Sequence, residues 1–445
     1  MRLLLTLLFP LAAALSMPLH AGPPDTHQFS LDNGLNVLVR QDDRAPVAVV
    51  MIWYRVGSID EPQGVTGMSH MLEHMLFKNT KHLQPGDFSS LVARFGGRSN
   101  AFTSYDFTAY FQQYEASRLP LALELEAERM ANLRIDDDEF AREVQVVLEE
   151  RSQRTDDNPN ALAWERFTGI TRPGTGYAHP IIGWRHEIEQ YQPEQAMDWY
   201  RRWYSPGNAT LVIVGDVNLD ELREQVETFF GPIPARPVPA RPDPVSLPDQ
   251  GERRLDLKLP VQVPVLYKAW NVPSLSTAED RRDYYALHML AGVLDGGMSA
   301  RVERNLVRGQ RVAASAGANY QGMARGDGLF VFSGSAAPGH SLDDLEAAFE
   351  AELEALRNEP PSEEEMNRVR ARVLAGQIYA QDSLFGQAME LGQLAMLGED
   401  PDLGRRFADE LAKISAEDVQ AMARRWLTPA RSASTRVQPL EGEQQ

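Results

Sequence analysis

Residues 232–250 read PIPARPVPARPDPVSLPDQ and carry seven prolines. Proline fixes φ and has no backbone N–H, so this stretch continues neither a helix nor a central strand. It reads as a stiff, extended linker. The elements on its two sides follow a similar order. Upstream, FSLDNGLNVLVRQDD (29–43) predicts a hairpin turning at Asn33-Gly34, and VAVVMIWYRVGS (47–58) a second strand. Residues 66–79 switch to helical spacing, a short helix runs near 87–95, and SNAFTSYDFTAYFQQY (99–114) predicts one or two strands. Acidic helices over about 117–133 and 137–154 and a strand at 209–217 follow. Downstream come strands in LDLKL and VPVLYKAWNV, a helix over 278–294, a strand pair in 312–335, and helices near 341–357 and 362–384. This recurrence predicts an internal duplication with weak residue identity. Hairpins among helices, without a GxGxxG-type phosphate loop, predict an α+β fold of two duplicated domains, each a mostly antiparallel sheet packed with helices.

Composition limits the function. The 445 residues suit two domains better than one, and a 43% hydrophobic share supplies a core to each. A formal net charge of −19 argues against nucleic-acid binding through a basic surface. The chain has no cysteine, which excludes disulfides, thiolate zinc ligands and a cysteine nucleophile. The start, MRLLLTLLFPLAAALSMPLHAG, has the layout of a secretory signal: Arg2, an apolar run broken by Pro10 and Pro18, and Ala21 before the cleavage point. The expected division is a signal at 1–21, a first domain at 26–231, the linker at 232–250 and a second, homologous domain at 251–440. The mature chain is expected to be exported without a membrane anchor, into the periplasm if the source is Gram-negative.

Chemistry concentrates in Gly67-Met-Ser-His-Met-Leu-Glu-His-Met-Leu-Phe77. Four residues separate His70 from His74, so on a helix both imidazoles leave one face, with Glu73 on the same side. Two neutral imidazoles suit Zn²⁺, and the carboxylate is placed to take a proton from an activated water. This H-x-x-E-H is the reverse of the H-E-x-x-H motif of zinc proteases. A catalytic zinc takes a third protein ligand. The second acidic helix offers Glu143 and Glu150, seven apart and therefore on one face, while Glu149 points about 100° away toward solvent. Glu150 is the expected ligand and Glu143 the expected partner orienting a ligand or the water. His27, His82, His179, His186, His288 and His340 lack ligand spacing and are read as structural or exposed.

With these blocks in view, the chain resembles the pitrilysin/insulinase family of inverted-motif zinc peptidases, in a short two-domain form similar to the mitochondrial processing peptidase subunits. The resemblance also covers GGRSNAFTSYDFTAY (96–110), EVQVVLEE (143–150), HPIIG (179–183), LVIVGDV (211–217) and GGMSAR (296–301). It implies one zinc per chain at the positions already reasoned, Glu73 as general base, and two chains or two fused halves closing around a peptide substrate. It further implies that the peptide lies extended against Asn100, Ala101, Phe102 and Thr103. One departure stands out. Active relatives usually place an Arg and, seven residues later, a Tyr in the second domain, where this chain has Val307 and Ala314. Arg308, Arg311 and Tyr320 lie nearby at other spacings. The expectation is a zinc-bearing subunit whose homologous partner supplies the Arg and Tyr in a heterodimer, with a homodimer as the alternative. From the site alone a non-peptidase zinc hydrolase remains open; a non-catalytic scaffold is disfavoured by Glu73, and a structural zinc by having three candidate ligands.

Overall fold

The computed structural model describes residues 25–241, 243–244 and 251–440. The expected signal at 1–21 and the end of the linker lie outside them.

The first half forms six strands: β1 (Thr26–Ser30), β2 (Asn36–Gln41), β3 (Val47–Tyr54), β4 (Arg98–Thr103), β5 (Thr108–Glu115) and β6 (Ala209–Gly215). They pair in the order β1-β2-β6-β3-β5-β4. The second half forms β7 (Arg253–Leu259), β8 (Val265–Val272), β9 (Ala313–Gln321), β10 (Gly328–Ala336) and β11 (Ser432–Pro439), ordered β7-β11-β8-β10-β9. Dropping β1, the two orders correspond strand for strand, and so does their sense. β2 with β6 and β7 with β11 are the parallel pairs; the rest are antiparallel. The parallel pair arises because β6 and β11 return only after long helical excursions, the kind of crossover that parallel strands need. The hairpin at Asn33-Gly34 is a five-residue loop closed by the Leu31 amide on the Leu35 carbonyl at 3.0 Å.

Eight helices matter for the site and its support. They are α1 (Met68–Met75), α2 (Asp137–Arg151), α3 (Pro159–Thr171), α4 (Pro193–Trp203), α5 (Arg281–Leu294), α6 (Glu363–Ala380), α7 (Leu384–Leu397) and α8 (Ala416–Trp426). Helices α1 and α4 share the first core, α5 and α8 the second.

Strand β3, VAVVMIWY, is apolar at almost every position, the pattern of a strand buried on both faces. Val50, Ile52 and Tyr54 enter the first core, whereas Val49, Met51 and Trp53 face the other way. That second face is covered by α7 from the other half of the chain, through Ala388, Leu391, Ala395 and Met396. The fit is close: a Cβ on Gly392 would stand 1.9 Å from the Trp53 indole. The exchange is mutual. From the first half, α3 sets Phe167 against Ala269, Leu329 and Val331 of the second sheet, and Ala163 against Val261 and Val437. At about 1.5–3 kcal/mol for each large apolar side chain buried, this exchange couples the halves strongly.

The described part of the linker is pinned to the first half. Ile233 is buried in the first core, and Asn33 Nδ2 donates to the carbonyls of Phe230 and Ile233 at 2.8 and 3.0 Å. Further on, the Arg241 guanidinium donates to Asp60 at 2.7 and 3.1 Å and to the Asp106 carbonyl at 2.8 Å. Asp60 also receives Arg325 of the second half at 3.0 Å, so one buried carboxylate clasps linker and both halves.

Candidate metal centre

Helix α1 begins at a point where two backbones touch. Gly67 has φ +89°, and a Cβ there would come within 2.3 Å of the Ile182 carbonyl oxygen. Gly183, at φ +91°, would meet the Thr66 carbonyl oxygen at 2.1 Å. Only glycine at both positions lets the HPIIG loop cross the start of α1. Glu61, 6% exposed, then satisfies the first turn, accepting from the Gly67 and Ser69 amides at 2.6 and 2.7 Å. Trp199 of α4 donates to Ser69 Oγ at 3.1 Å.

Burial pushes the Glu61 carboxyl up to about 8 from 4.5, against the pull of its two amides. Between those values the folded chain keeps a proton that the unfolded chain has released, so this group's contribution to stability falls as pH rises. Glu61→Gln is expected to flatten that slope. Denaturant midpoints near pH 5 and near pH 8 measure it, and an unchanged slope would contradict the assignment.

From this anchored helix His70 and His74 project together, with ring centroids 4.7 Å apart. Helix α2 supplies the carboxylates. Asp136 caps it, accepting from the Glu139 amide at 3.1 Å, with three acids in its first turn at the positive end of the helix dipole. Glu150 Oε1 lies 3.7 Å from His70 Nε2, and Oε2 lies 3.3 Å from His74 Nε2. One donor atom from each of His70, His74 and Glu150 can be chosen so that all lie within 4.8 Å of one another. Tetrahedral zinc with bonds of about 2.0–2.1 Å sets its ligand atoms about 3.4 Å apart, so the set fits. Glu143 Oε1 takes His74 Nδ1 at 2.8 Å, which leaves Nε2 for the metal. Its Oε2 receives Lys78 Nζ at 2.6 Å. Glu149 is exposed and accepts from Gln153 at 2.8 Å, away from the site.

Electrostatics separates the two imidazoles. Burial first, then the neighbouring His74, pulls His70 down to about 4, which keeps it neutral and ligand-ready. Burial also lowers His74, but hydrogen bonds and charge from Glu143 and Glu150 outweigh it and raise it to about 9. Burial raises Glu73, offset in part by Thr103 Oγ1, which donates to Glu73 Oε2 at 2.5 Å.

The site opens into a cleft of about 740 Å³ lined also by Asn100–Thr103, Trp164 and His179. Strand β4 ends its sheet and pairs with β5 alone, so its outer edge is open among the described residues. Asn100 is exposed on that edge, whereas Ala101 is core, Phe102 packs on Trp53 at 5.5 Å, and the Thr103 hydroxyl is committed to Glu73. Sequence reasoning misses several groups here. His179, structural or exposed by its spacing, lines the cleft because the Gly67–Gly183 crossing carries the HPIIG loop there. Lys78, four beyond His74, carries a helical-spacing signal; Arg154, four beyond Glu150, carries another. In the second half, Val307 packs against the core and Ala314 is exposed. Tyr320 is 8% exposed and its hydroxyl is spent on the Pro273 carbonyl, so it does not stand in for the missing Tyr.

Known proteins place this architecture. Residues 36–183 match the model for "Insulinase (Peptidase family M16)", and residues 190–373 that for "Peptidase M16 inactive domain". The zinc protease PqqE of Helicobacter pylori is 31% identical over 351 residues, 78% of each chain. An uncharacterized zinc protease of Streptomyces coelicolor is 25% identical over 93% of this chain and 90% of its own. Among solved structures, a protease from Helicobacter pylori superposes with a TM-score of 0.87 at 28% identity, covering 94% of this chain and 100% of that one. The periplasmic protease PqqL from Escherichia coli matches in fold with a TM-score of 0.79 at 19% identity, over 94% of this chain but 48% of that one. The chain belongs to the insulinase, or M16, family of peptidases.

Proposed function

We propose that the chain is a zinc-dependent endopeptidase acting on peptides or small unfolded proteins. His70, His74 and Glu150 hold one zinc ion, and Glu73 is the general base. The observation that carries this reading is the convergence of three donor atoms at zinc spacing beside the half-buried Glu73 carboxylate in an open cleft. A zinc ion there supplies a Lewis acid that acidifies a water and polarises the scissile carbonyl. Thr103 holds Glu73 Oε2, leaving the other oxygen to take the water's proton and hand it to the leaving amine nitrogen. Burial keeps that carboxyl above its ordinary range, nearer the working pH of a base. Glu143 holds His74 in the tautomer that presents Nε2. The substrate lies extended along β4 and takes main-chain hydrogen bonds from Asn100 to Thr103.

Neither Val307 nor Ala314 donates from its side chain, so the oxyanion and substrate donors come from a homologous partner subunit, in a heterodimer or else a homodimer. The match to about half of PqqL supports a pairing of two such units. The apolar leader directs export, to the periplasm in a Gram-negative source, and no described helix is long and apolar enough to cross a membrane. Residues 26–231 form the metal-bearing domain and 251–440 the second. Cleavage of quenched fluorescent peptides by the purified chain, alone and with a co-purifying homologous subunit, tests the pairing. Chelator-sensitive turnover is expected to rise by about 10²-fold with the partner, the scale of one oxyanion donor. Equal rates with and without it would exclude an obligatory partner.

A further inference from the structure

The turn after Glu150 is wound as a π-helix over Ser152–Asp156. Single π-turns re-aim side chains and recur at functional sites. This one is locked at both ends. Arg151, 4% exposed, reaches Glu165 at 3.0 and 3.2 Å, the Gly183 carbonyl at 2.7 Å and Asp156 at 3.2 Å. Arg185 binds Asp156 at 3.2 Å and Ser152 Oγ at 2.6 Å. Arg154, between these anchors, has a side chain 74% exposed and, among the described residues, a single ion pair, Nη1 to Glu150 Oε1 at 2.5 Å. It is the only lysine or arginine among the described residues lining the cleft.

We infer that Arg154 is a specificity residue: its guanidinium receives a carboxylate of the bound peptide, either an acidic side chain near the scissile bond or a free C-terminus. This rests on the peptidase reading above. A guanidinium carries five donors in a planar fork matched to a carboxylate, and Glu150 engages one nitrogen. Of the other acids of the cleft, Glu165 is paired with Arg151, and Glu73 gives one oxygen to the Thr103 hydroxyl and the other to the water. A basic substrate side chain meets like charge at this point, whereas a carboxylate gains charge-assisted hydrogen bonds. The chain's net charge of −19 attracts basic peptides from a distance. Screening over about 8 Å at physiological salt limits that attraction to the approach, and inside the cleft Arg154 is the one guanidinium or ammonium among the described lining residues.

The test uses zinc-loaded Glu73→Gln chain together with its co-purifying homologous subunit, so that the substrate donors are present and peptide binding is read without turnover. Labelled peptides differing only in a central Glu, Gln or Lys, each with a free-acid or amide C-terminus, are titrated by fluorescence anisotropy. The peptide with Glu, or the free acid, is expected to bind about tenfold tighter than its neutral counterpart, the scale of one charge-assisted contact. Which pair shows the difference identifies the source of the carboxylate. Arg154→Gln in the same background is expected to erase the preference, Arg154→Lys to keep part of it, and Arg154→Glu to favour the Lys peptide, each protein being compared at full zinc loading. A preference that survives Arg154→Gln, or none in the parent, overturns the inference while leaving the peptidase reading intact. A folded, zinc-loaded parent that binds none of the peptides overturns both.

Discussion

Replacing Glu73 by Gln is expected to leave zinc bound at its full stoichiometry and to lower turnover by about 10²–10⁴-fold, the range of general acid–base catalysis. The two effects separate because Glu73 is not among the three converging donors. The side-chain amide that replaces the carboxylate keeps an oxygen for the Thr103 hydroxyl, so the fold of the cleft wall is kept while the proton acceptor is lost. The wild-type rate carries a second signature. A general base works ionised, so activity falls on acidification as the Glu73 carboxylate takes up a proton, a proton that burial favours in the metal-free chain. The residual rate of the variant lacks that acid limb. Turnover within a few-fold of wild type would remove Glu73 from the role of base.

Removing either α2 carboxylate weakens zinc, by different amounts. Glu143 holds His74 Nδ1 and would act on a metal through that imidazole, so Glu143→Gln is expected to cost about 10–100-fold in zinc affinity, the usual scale for an outer partner. Lys78 then loses its carboxylate partner at 2.6 Å, and His74 drops from about 9 as its hydrogen-bonded charge disappears. Glu150→Gln deletes a charged donor from the ligand set itself, and the loss is expected to exceed that range. Competition with a chromophoric chelator measures both. An ordering in which Glu143→Gln is the more damaging would mean that Glu143, and not Glu150, binds the metal.

Much of this centre was legible because helical spacing is rigid. Separations of three, four and seven residues place His70, Glu73 and His74 on one helix and Glu143 and Glu150 on another, whatever surrounds them. Strand β3 was legible for a related reason: an apolar run of eight residues has few other uses. What periodicity leaves open is which surface an apolar face meets. Helices α3 and α7 escaped notice, although each covers the sheet of the opposite half, because Phe167 and Leu391 look like any helix core position until the partner sheet is known. Arg154 and His179 were hidden differently. Arg154 stands four residues beyond Glu150, a spacing that signals a shared helix face but not the π-turn that aims it, and His179 is placed by a glycine–glycine crossing without a periodic signature. Tyr320 shows the reverse case, a nearby candidate whose hydroxyl serves the core.

Anomalous diffraction at the zinc edge, from crystals of the zinc-loaded chain, tests the central claim most directly. The expected result is a single peak at about 2.0–2.2 Å from His70 Nε2, His74 Nε2 and a Glu150 carboxylate oxygen, with Glu73 outside bonding distance. A peak elsewhere, or one ligated by Glu73 or Glu143 in place of Glu150, would contradict it.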